Sequence, residues 1–321
     1  MTYRIDSLKA PLLVSWQLTR DCDLACLHCC TDSAPGKRMA DEFDAGEAIR
    51  FAEQLAHSEI PYVMLCGGEP LIVPHFFRLA ETLGRAGIQL KIETNGQTFD
   101  DAIAERLARL PVRSVQISLD GATQEVYARQ RPGASLEKAH AACRAVRRAG
   151  LPLEVTFAPT RFNIHQLEAV IAQARAFGAF RFNTGRLMRI GTAARQWQRL
   201  TPSAAQYRTF IATLQHQANP DGVEPIDLRY LPFTIVETLR ENLADPPATM
   251  LVLPNGWVKV AAVLPLVCAD LRRHTLADAW DLYRRAWRDD TTTRLLWSAI
   301  EDEARHSEAN SWYCALRRAC A

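Results

Sequence analysis

The sequence predicts an α/β fold in the form of a partial (β/α)6, TIM-like barrel, and three observations carry that prediction. Short apolar runs alternate with longer amphipathic stretches from Leu12 to about Asn183. Glycines stand where each of several helices must end and the next strand begin. Beyond about Arg199 the alternation stops. Strands alternating with helices demand right-handed crossovers and a parallel sheet, and six such units suggest an open rather than a closed barrel.

Taken in order, the apolar runs Leu12–Gln17, Tyr62–Cys66, Gln89–Glu93, Ser114–Leu119, Leu153–Pro159 and Ala179–Asn183 each read as a buried strand. Helices are predicted at Ala45–His57, Pro74–Ala86, Asp100–Arg109, Glu137–Ala149 and His165–Phe177. Asp44, followed three residues later by Glu47, forms a capping-box pattern that fixes the start of the first. Gly87, Gly150 and Gly178 are placed to close helices in the left-handed conformation before the chain enters a strand. Thr201–Ala218 reads as one more helix. Five prolines in the 28 residues from Pro220 to Pro247 predict a connector with little regular structure. Met250–Ala321 carries a hairpin signal around Asn255 and Gly256, then a helix from Leu276. The domain plan is a barrel over residues 1–199, a connector over 200–249 and a small unit over 250–321. Active residues are expected at the C-terminal ends of the strands.

The bulk properties exclude several classes. The 321 residues carry a formal charge of only +2, so no global field announces a nucleic-acid or membrane-surface partner. No uncharged apolar run reaches 18 residues, and the N-terminus lacks a cleavage signature, so a soluble, cytoplasmic protein is expected. Nine cysteines in such a compartment should be reduced thiols, metal ligands or catalytic groups.

Their spacing carries the strongest signal. Cys22-Asp-Leu-Ala-Cys26-Leu-His-Cys29 directly follows the first predicted strand. Three thiolates within eight residues can converge on one face of a 4Fe-4S cubane and leave the fourth iron without a protein ligand. A structural zinc site would want four closed ligands, and a ferredoxin-type cluster a fourth cysteine at suitable spacing. Cys30, whose side chain must point away from that of Cys29, reads as packing, as do Cys66 and Cys143. The C-x3-C-x2-C pattern resembles that of the radical S-adenosylmethionine (SAM) superfamily. The resemblance implies that the open iron chelates the methionine end of SAM, and that reductive cleavage releases methionine and a 5'-deoxyadenosyl radical. It also implies an outside electron donor such as flavodoxin or ferredoxin, and places His28 against the adenine. Zinc or redox use of the triad, and a solvated His28, are the alternatives.

Further motifs fall at strand ends. Gly67-Gly68-Glu69-Pro70 resembles the family's GGEP motif, which implies that Glu69 holds the methionine amine; the glycines permit close backbone approach. Thr94, Asn95, Ser118, Asp120 and Asn163 match positions where the family sets polar groups near the cofactor. Met188, in Leu187–Gly191, falls in a segment similar to one whose backbone lies against adenine in the family. Arg131 matches an arginine common in the peptide-modifying branch, here followed by Pro132. Each of these residue types also builds turns, caps or solvated loops.

The C-terminal unit resembles the SPASM or twitch extension, which implies auxiliary 4Fe-4S clusters and favours a peptide substrate. It departs from that pattern: Ala261 and Ser311 stand where the family has cysteines, leaving Cys268, Cys314 and Cys320 as candidates for a second cluster. The alternative is a unit whose apolar substitutions have replaced metal with packing. The leading function is hydrogen abstraction from a peptide or peptide-derived substrate. A non-peptide small-molecule substrate, a non-catalytic iron-sulfur protein and a zinc-dependent TIM-like enzyme are the other readings. No motif names the substrate.

Overall fold

The computed structural model describes residues 5–218, 225–311 and the backbone of Tyr313–Cys314. The six predicted strands form as β1 (Leu13–Gln17), β2 (Tyr62–Cys66), β3 (Gln89–Thr94), β4 (Val112–Ser118), β5 (Leu153–Phe157) and β6 (Arg181–Gly185), each parallel to the next. Helices Ala45–Ala56, Phe76–Arg85, Asp101–Leu107, Leu136–Arg148 and Leu167–Ala176 return the chain between them, and an unpredicted helix, Gln124–Gln130, precedes the fourth.

Local chemistry explains the boundaries. Asp44 Oδ1 accepts the Glu47 amide at 2.8 Å, and Glu47 Oε2 accepts the Asp44 amide at 3.0 Å, so the capping box is formed. Gly87, Gly150 and Gly178 adopt φ of 80°, 69° and 72°, the left-handed region where a side chain would be strained.

The stretch expected to be irregular is not. β7 (Asp227–Leu231) pairs parallel with β6, and helix Ile235–Ala244 follows it. Pro225 and Pro232 flank β7 without interrupting it, which an edge strand tolerates. Its Asp227 and Arg229 alternate with apolar residues that stay partly exposed, so the usual signal of a buried strand is missing.

Beyond helix 235–244 the chain returns to the other edge of the sheet. β8 (Thr249–Val252) runs parallel to β1, and the predicted hairpin forms as β8 with β9 (Trp257–Lys259). β10 (Leu266–Asp270) pairs antiparallel with β9, and β11 (Tyr313–Cys314) parallel with β10. The C-terminal unit therefore continues one eleven-stranded sheet, in the order β11-β10-β9-β8-β1-β2-β3-β4-β5-β6-β7. Helix Leu276–Ala286 covers its strands through Trp280 and Tyr283, stacked 5.3 Å apart, and helix Asp290–Glu301 packs against helix 235–244. No helix among the described residues is long and apolar enough to cross a membrane.

The barrel strands alternate chemically. Trp16, Val63, Leu65, Ile92, Val115, Ile117, Val155 and Phe182 are buried in the apolar core. From β3 to β7 the opposite face is polar, and Glu93, Gln116, Glu154, Arg181 and Asp227 stand there in register. Lys91 ties this row together, donating to Gln116 Oε1 at 2.9 Å and Glu154 Oε2 at 3.2 Å, with Glu93 Oε1 3.4 Å away. Asn183 also donates to Glu154, at 2.7 Å. Burial pushes the Glu93 carboxyl up, whereas for Glu154 the Lys91 ammonium and its hydrogen bonds outweigh burial and hold it down.

Replacing Lys91 by Ala strands Glu154, which is 3% exposed, with Arg181 3.5 Å away as its remaining cation. The expected cost is about 2 kcal/mol in urea unfolding, and a second change, Glu154→Leu, should recover most of it because both halves of the buried pair are then gone.

Candidate functional site

The three triad cysteines lie on the loop that leaves β1. That loop is seated on the turn after β2: Gly68 donates its amide to Thr19 O at 2.7 Å, and Glu69 to Asp21 O at 3.0 Å. A Cβ on Gly68 would sit 1.8 Å from Asp21 O, and one on Gly67, where φ is 132°, 2.7 Å from Thr19 O. The glycine pair is thus required by the approach of the cysteine loop itself.

Each triad sulfur faces a donor. Asn95 Nδ2 lies 3.8 Å from Cys22 Sγ, Arg131 Nη1 lies 3.5 Å from Cys26 Sγ, and the Ser33 amide lies 3.3 Å from Cys29 Sγ. Burial pushes the Cys22 and Cys26 thiols up, Cys26 to about 11, so a metal must displace protons to bind them. No three ligating side chains among the described residues converge as a single ion requires. A cubane takes each thiolate on a different iron and makes no such demand.

Glu69 is fully buried, and its carboxylate accepts from Thr94 Oγ1 at 2.7 Å, the Asn95 amide at 2.9 Å and the Leu71 amide at 3.2 Å. Burial nevertheless pushes it up to about 7. It forms no ion pair among the described residues, and a cationic ligand would relieve that cost. Thr94 and Asn95 therefore aim Glu69 and, through Asn95 Nδ2 to Asp23 Oδ1 at 2.6 Å, brace the cysteine loop.

Asp120, one of the polar groups expected near the cofactor, is held by partners inside the protein. Its Oδ2 accepts Arg131 Nε at 2.6 Å and lies 3.1 Å from His28 Nε2, and its Oδ1 accepts the Ala158 amide at 2.7 Å. Burial alone would raise this carboxyl, but Arg131 and His28 hold it well below the usual range. Arg131, 7% exposed, is neither a solvated loop cation nor open to substrate. His28 Nδ1 is buried without a hydrogen-bond partner among the described residues, an orphaned atom that a ligand at the loop would satisfy.

Asn163 is likewise engaged within the protein. Both amide hydrogens of Asn163 go to backbone carbonyls, Asp120 O and Ala158 O, each at 2.9 Å, and its oxygen accepts the Thr160 amide at 2.6 Å. It locks the loops after β4 and β5 and has nothing left for a cofactor. Met188 is 48% exposed on an outer cleft with Trp197 and Phe233, and its neighbour Leu187 packs inward instead. Ser118 ends β4 on the polar face of the sheet, in register with Thr156.

The sequence left a second set unread. Gly191, at φ 59°, passes so close that a Cβ would lie 2.6 Å from both Cys29 O and Cys30 O, and Thr192 donates its amide to Cys29 O at 2.8 Å. Asp32, left-handed at φ 59°, accepts from Thr192, Arg195 and Asn310, and Asn310 also donates to Cys30 O at 3.0 Å. Apart from the left-handed glycine, no local signal marks these residues, because their partners are roughly 160 to 280 positions away.

In the C-terminal unit, Cys268, a candidate ligand for a second cluster, is fully buried in the core and donates to Val258 O at 3.5 Å. Cys314 pairs in register with Val267; its side chain, and Cys320 altogether, lie outside the described residues. Lys259 is 2% exposed, and its ammonium donates to Ala262 O at 2.8 Å and Ala309 O at 2.7 Å. Burial draws it down to about 7. It thus joins the segments containing Ala261 and Ser311.

Replacing Gly68 by Ala is expected to cost at least about 2 kcal/mol in urea unfolding and to abolish iron incorporation, because a backbone carbonyl occupies the Cβ position. Gly36→Ala, with open space around the same loop, should cost about 1 kcal/mol and leave iron content intact.

Comparison with known proteins agrees with this geometry. Residues 16–174 match the family model described as Radical SAM superfamily. The chain is 36% identical over 200 residues to the mycofactocin maturase MftC of Mycobacterium ulcerans, covering 62% of this chain and 53% of that protein. It is 32% identical over 297 residues to an AdoMet-dependent heme synthase of Methanosarcina barkeri, covering 85% of this chain and 82% of that one. It spans about half the length of the mycofactocin maturases it matches. Among solved structures, Streptococcus suis SuiB bound to its precursor peptide SuiA superposes with a TM-score of 0.75 at 14% identity, over 94% of this chain and 76% of that one.

Proposed function

The chain belongs to the radical SAM superfamily, and from that premise we propose that it cleaves SAM reductively and abstracts hydrogen from a peptide or peptide-derived substrate. One observation carries the reading: a fully buried Glu69 carboxylate with no cationic partner among the described residues stands beside three thiols on one loop. Cys22, Cys26 and Cys29 would hold a 4Fe-4S cluster, and Glu69 would receive the methionine ammonium. When bound, the cluster supplies the electron that splits the sulfonium and yields the 5'-deoxyadenosyl radical. Arg131 and Asn95 donate toward the sulfurs, and the seal of Leu187 and Gly191 over the loop keeps water from the site.

The maturase relatives support a peptide substrate. A second reading, a non-peptide small molecule, rests on the heme synthase, whose match covers 85% of this chain and so reaches into the C-terminal unit. Turnover assays with a peptide and with a tetrapyrrole separate the two. The C-terminal unit is read here as metal-free, since Lys259 already bridges the segments that a second cluster would join and Cys268 is committed to the core. Reconstituted protein should contain about four iron atoms per chain. A value near eight would refute the metal-free reading. Lys259→Met should lower the melting temperature without changing that count, since it leaves two carbonyls unpaired.

Anaerobic reconstitution with dithionite and SAM should produce 5'-deoxyadenosine, and serine at all three triad positions should abolish both iron and product. No product from a fully iron-loaded protein would refute the enzyme reading.

Glu69→Gln separates binding from stability. Folded-state burial raises this carboxyl to about 7 from an ordinary value near 4.5, so the folded form holds the extra proton between those limits. Its contribution to stability is therefore present at low pH and lost as pH rises toward 7. In SAM-free protein, E69Q should melt no lower than wild type at pH 7.5, with the advantage shrinking by pH 5.5. SAM affinity at pH 7.5, by equilibrium dialysis, should fall at least about tenfold, the worth of a charge-assisted hydrogen bond.

A further inference from the structure

We propose that the face carrying Arg129, Arg161, Arg186, Arg189, Arg195 and Arg199 docks an acidic one-electron carrier protein of the flavodoxin class, which reduces the cofactor held by the loop behind it. The inference rests on the radical SAM reading above and names the partner that reading requires.

The face is the outer wall of the cysteine loop. Leu27, between Cys26 and His28, packs into a small separate core of Leu187, Ala193 and Leu200, closed by Phe162 and Trp197. The same wall is bonded to the loop backbone through Thr192 and Cys29, and Arg195 reaches Asp32, three residues beyond Cys29.

On its solvent side this core carries a layer of guanidinium groups. Arg129 and Arg199 lie 4.0 and 5.6 Å over the Phe162 ring, Arg189 5.8 Å over Trp197, and Arg186 5.1 Å over Tyr207. Stacking on rings holds these cations in place at little further entropy cost. Arg189 is paired with Glu303 at 3.6 Å, and Arg195 with Asp32. Arg129, Arg161, Arg186 and Arg199 are exposed and form no ion pair among the described residues. Glu125, exposed on the helix of Arg129, and Glu237, exposed and interacting with the Arg186 charge, are the further acids near this face. Six arginines against these two acids and the paired Glu303 and Asp32 leave a local excess of positive charge.

Charge and position select the occupant. Each cleavage consumes one electron from outside the chain, and the carrier loses the electron that the cofactor gains, with no bond made or broken. The patch lies on the loop's outer side, whereas a substrate must reach the polar face of β3 to β7, where Glu93, Gln116 and Glu154 stand. A small cationic face of this kind steers an acidic partner.

The test uses reconstituted holoprotein, an acidic flavodoxin, and dithionite as a reductant too small to need docking. For R129E/R199E the Kd for oxidised flavodoxin, read by flavin fluorescence, should rise at least about tenfold, and flavodoxin-driven 5'-deoxyadenosine formation should fall with it. Dithionite-driven formation should be unchanged, and added salt should weaken wild-type binding far more than the variant's. R129Q/R199Q should give a smaller shift in the same direction, which guards against misfolding of the reversed variant. Unchanged flavodoxin affinity in both variants overturns the proposal. So does an equal loss with dithionite, which would make the arginines supports of the loop, and so does a raised substrate KM at constant donor affinity, which would assign the face to an acidic substrate. Wild-type holoprotein that makes no 5'-deoxyadenosine even with dithionite would instead remove the enzyme reading, and the docking proposal with it.

Discussion

The fully buried carboxylate of Asp120 is the interaction on which the site depends. It fixes Arg131 against Cys26, holds one nitrogen of His28 and, through the Ala158 amide, ties the end of β4 to the end of β5. A buried anion of this kind is stable only because a guanidinium, an imidazole and a backbone amide share its charge. Two loops separated by about a hundred residues therefore acquire one defined geometry. Asn163 and Gln130 extend the same lock, since both donate to Ala158 O, and Gln130 O receives the Leu27 amide. The site is thus assembled by buried polar groups that are nearly all satisfied within the protein, and the few that are not mark where a ligand belongs.

Glu69 and His28 Nδ1 are those exceptions. A carboxylate held at about 7 by burial, although three donors point at it, costs the folded protein stability. That cost is tolerable where a cationic ligand offsets it, and it explains why a site of this type tends to oppose stability in its empty form. Lys259 shows the contrasting solution: a buried ammonium that donates to the protein's own carbonyls.

The open sheet brings a second constraint. An open parallel sheet has two edges, and here β7 takes one while β8 to β11 extend the other. The hairpin tip is fastened back to the segment following the cysteine loop by Arg272 on Glu47 at 2.7 Å and Asn255 on Asp41 at 3.0 Å. Gly256 lies under the Phe43 ring, where a Cβ would come within 2.1 Å. The polar row from Glu93 to Asp227 explains why the concave side is not simply another hydrophobic core: those strands are apolar towards the helices and charged towards the interior.

The βα alternation, the capping box at Asp44, the left-handed glycines and the cysteine triad were all determined by the sequence alone, because each depends on periodicity or spacing within a few tens of residues. So was membership of the superfamily, carried by the triad and Gly67–Glu69. The tertiary structure decided the rest. It bound Asp120, Arg131 and Asn163 into an internal lock, buried Cys268 in the core, and formed β7 between prolines. It also showed that the glycine pair is demanded by the loop it carries. The physical reason is the same throughout: a side chain's role is set by what lies within hydrogen-bond reach of it, and for these residues the partners sit mostly on other elements, where no local pattern records them.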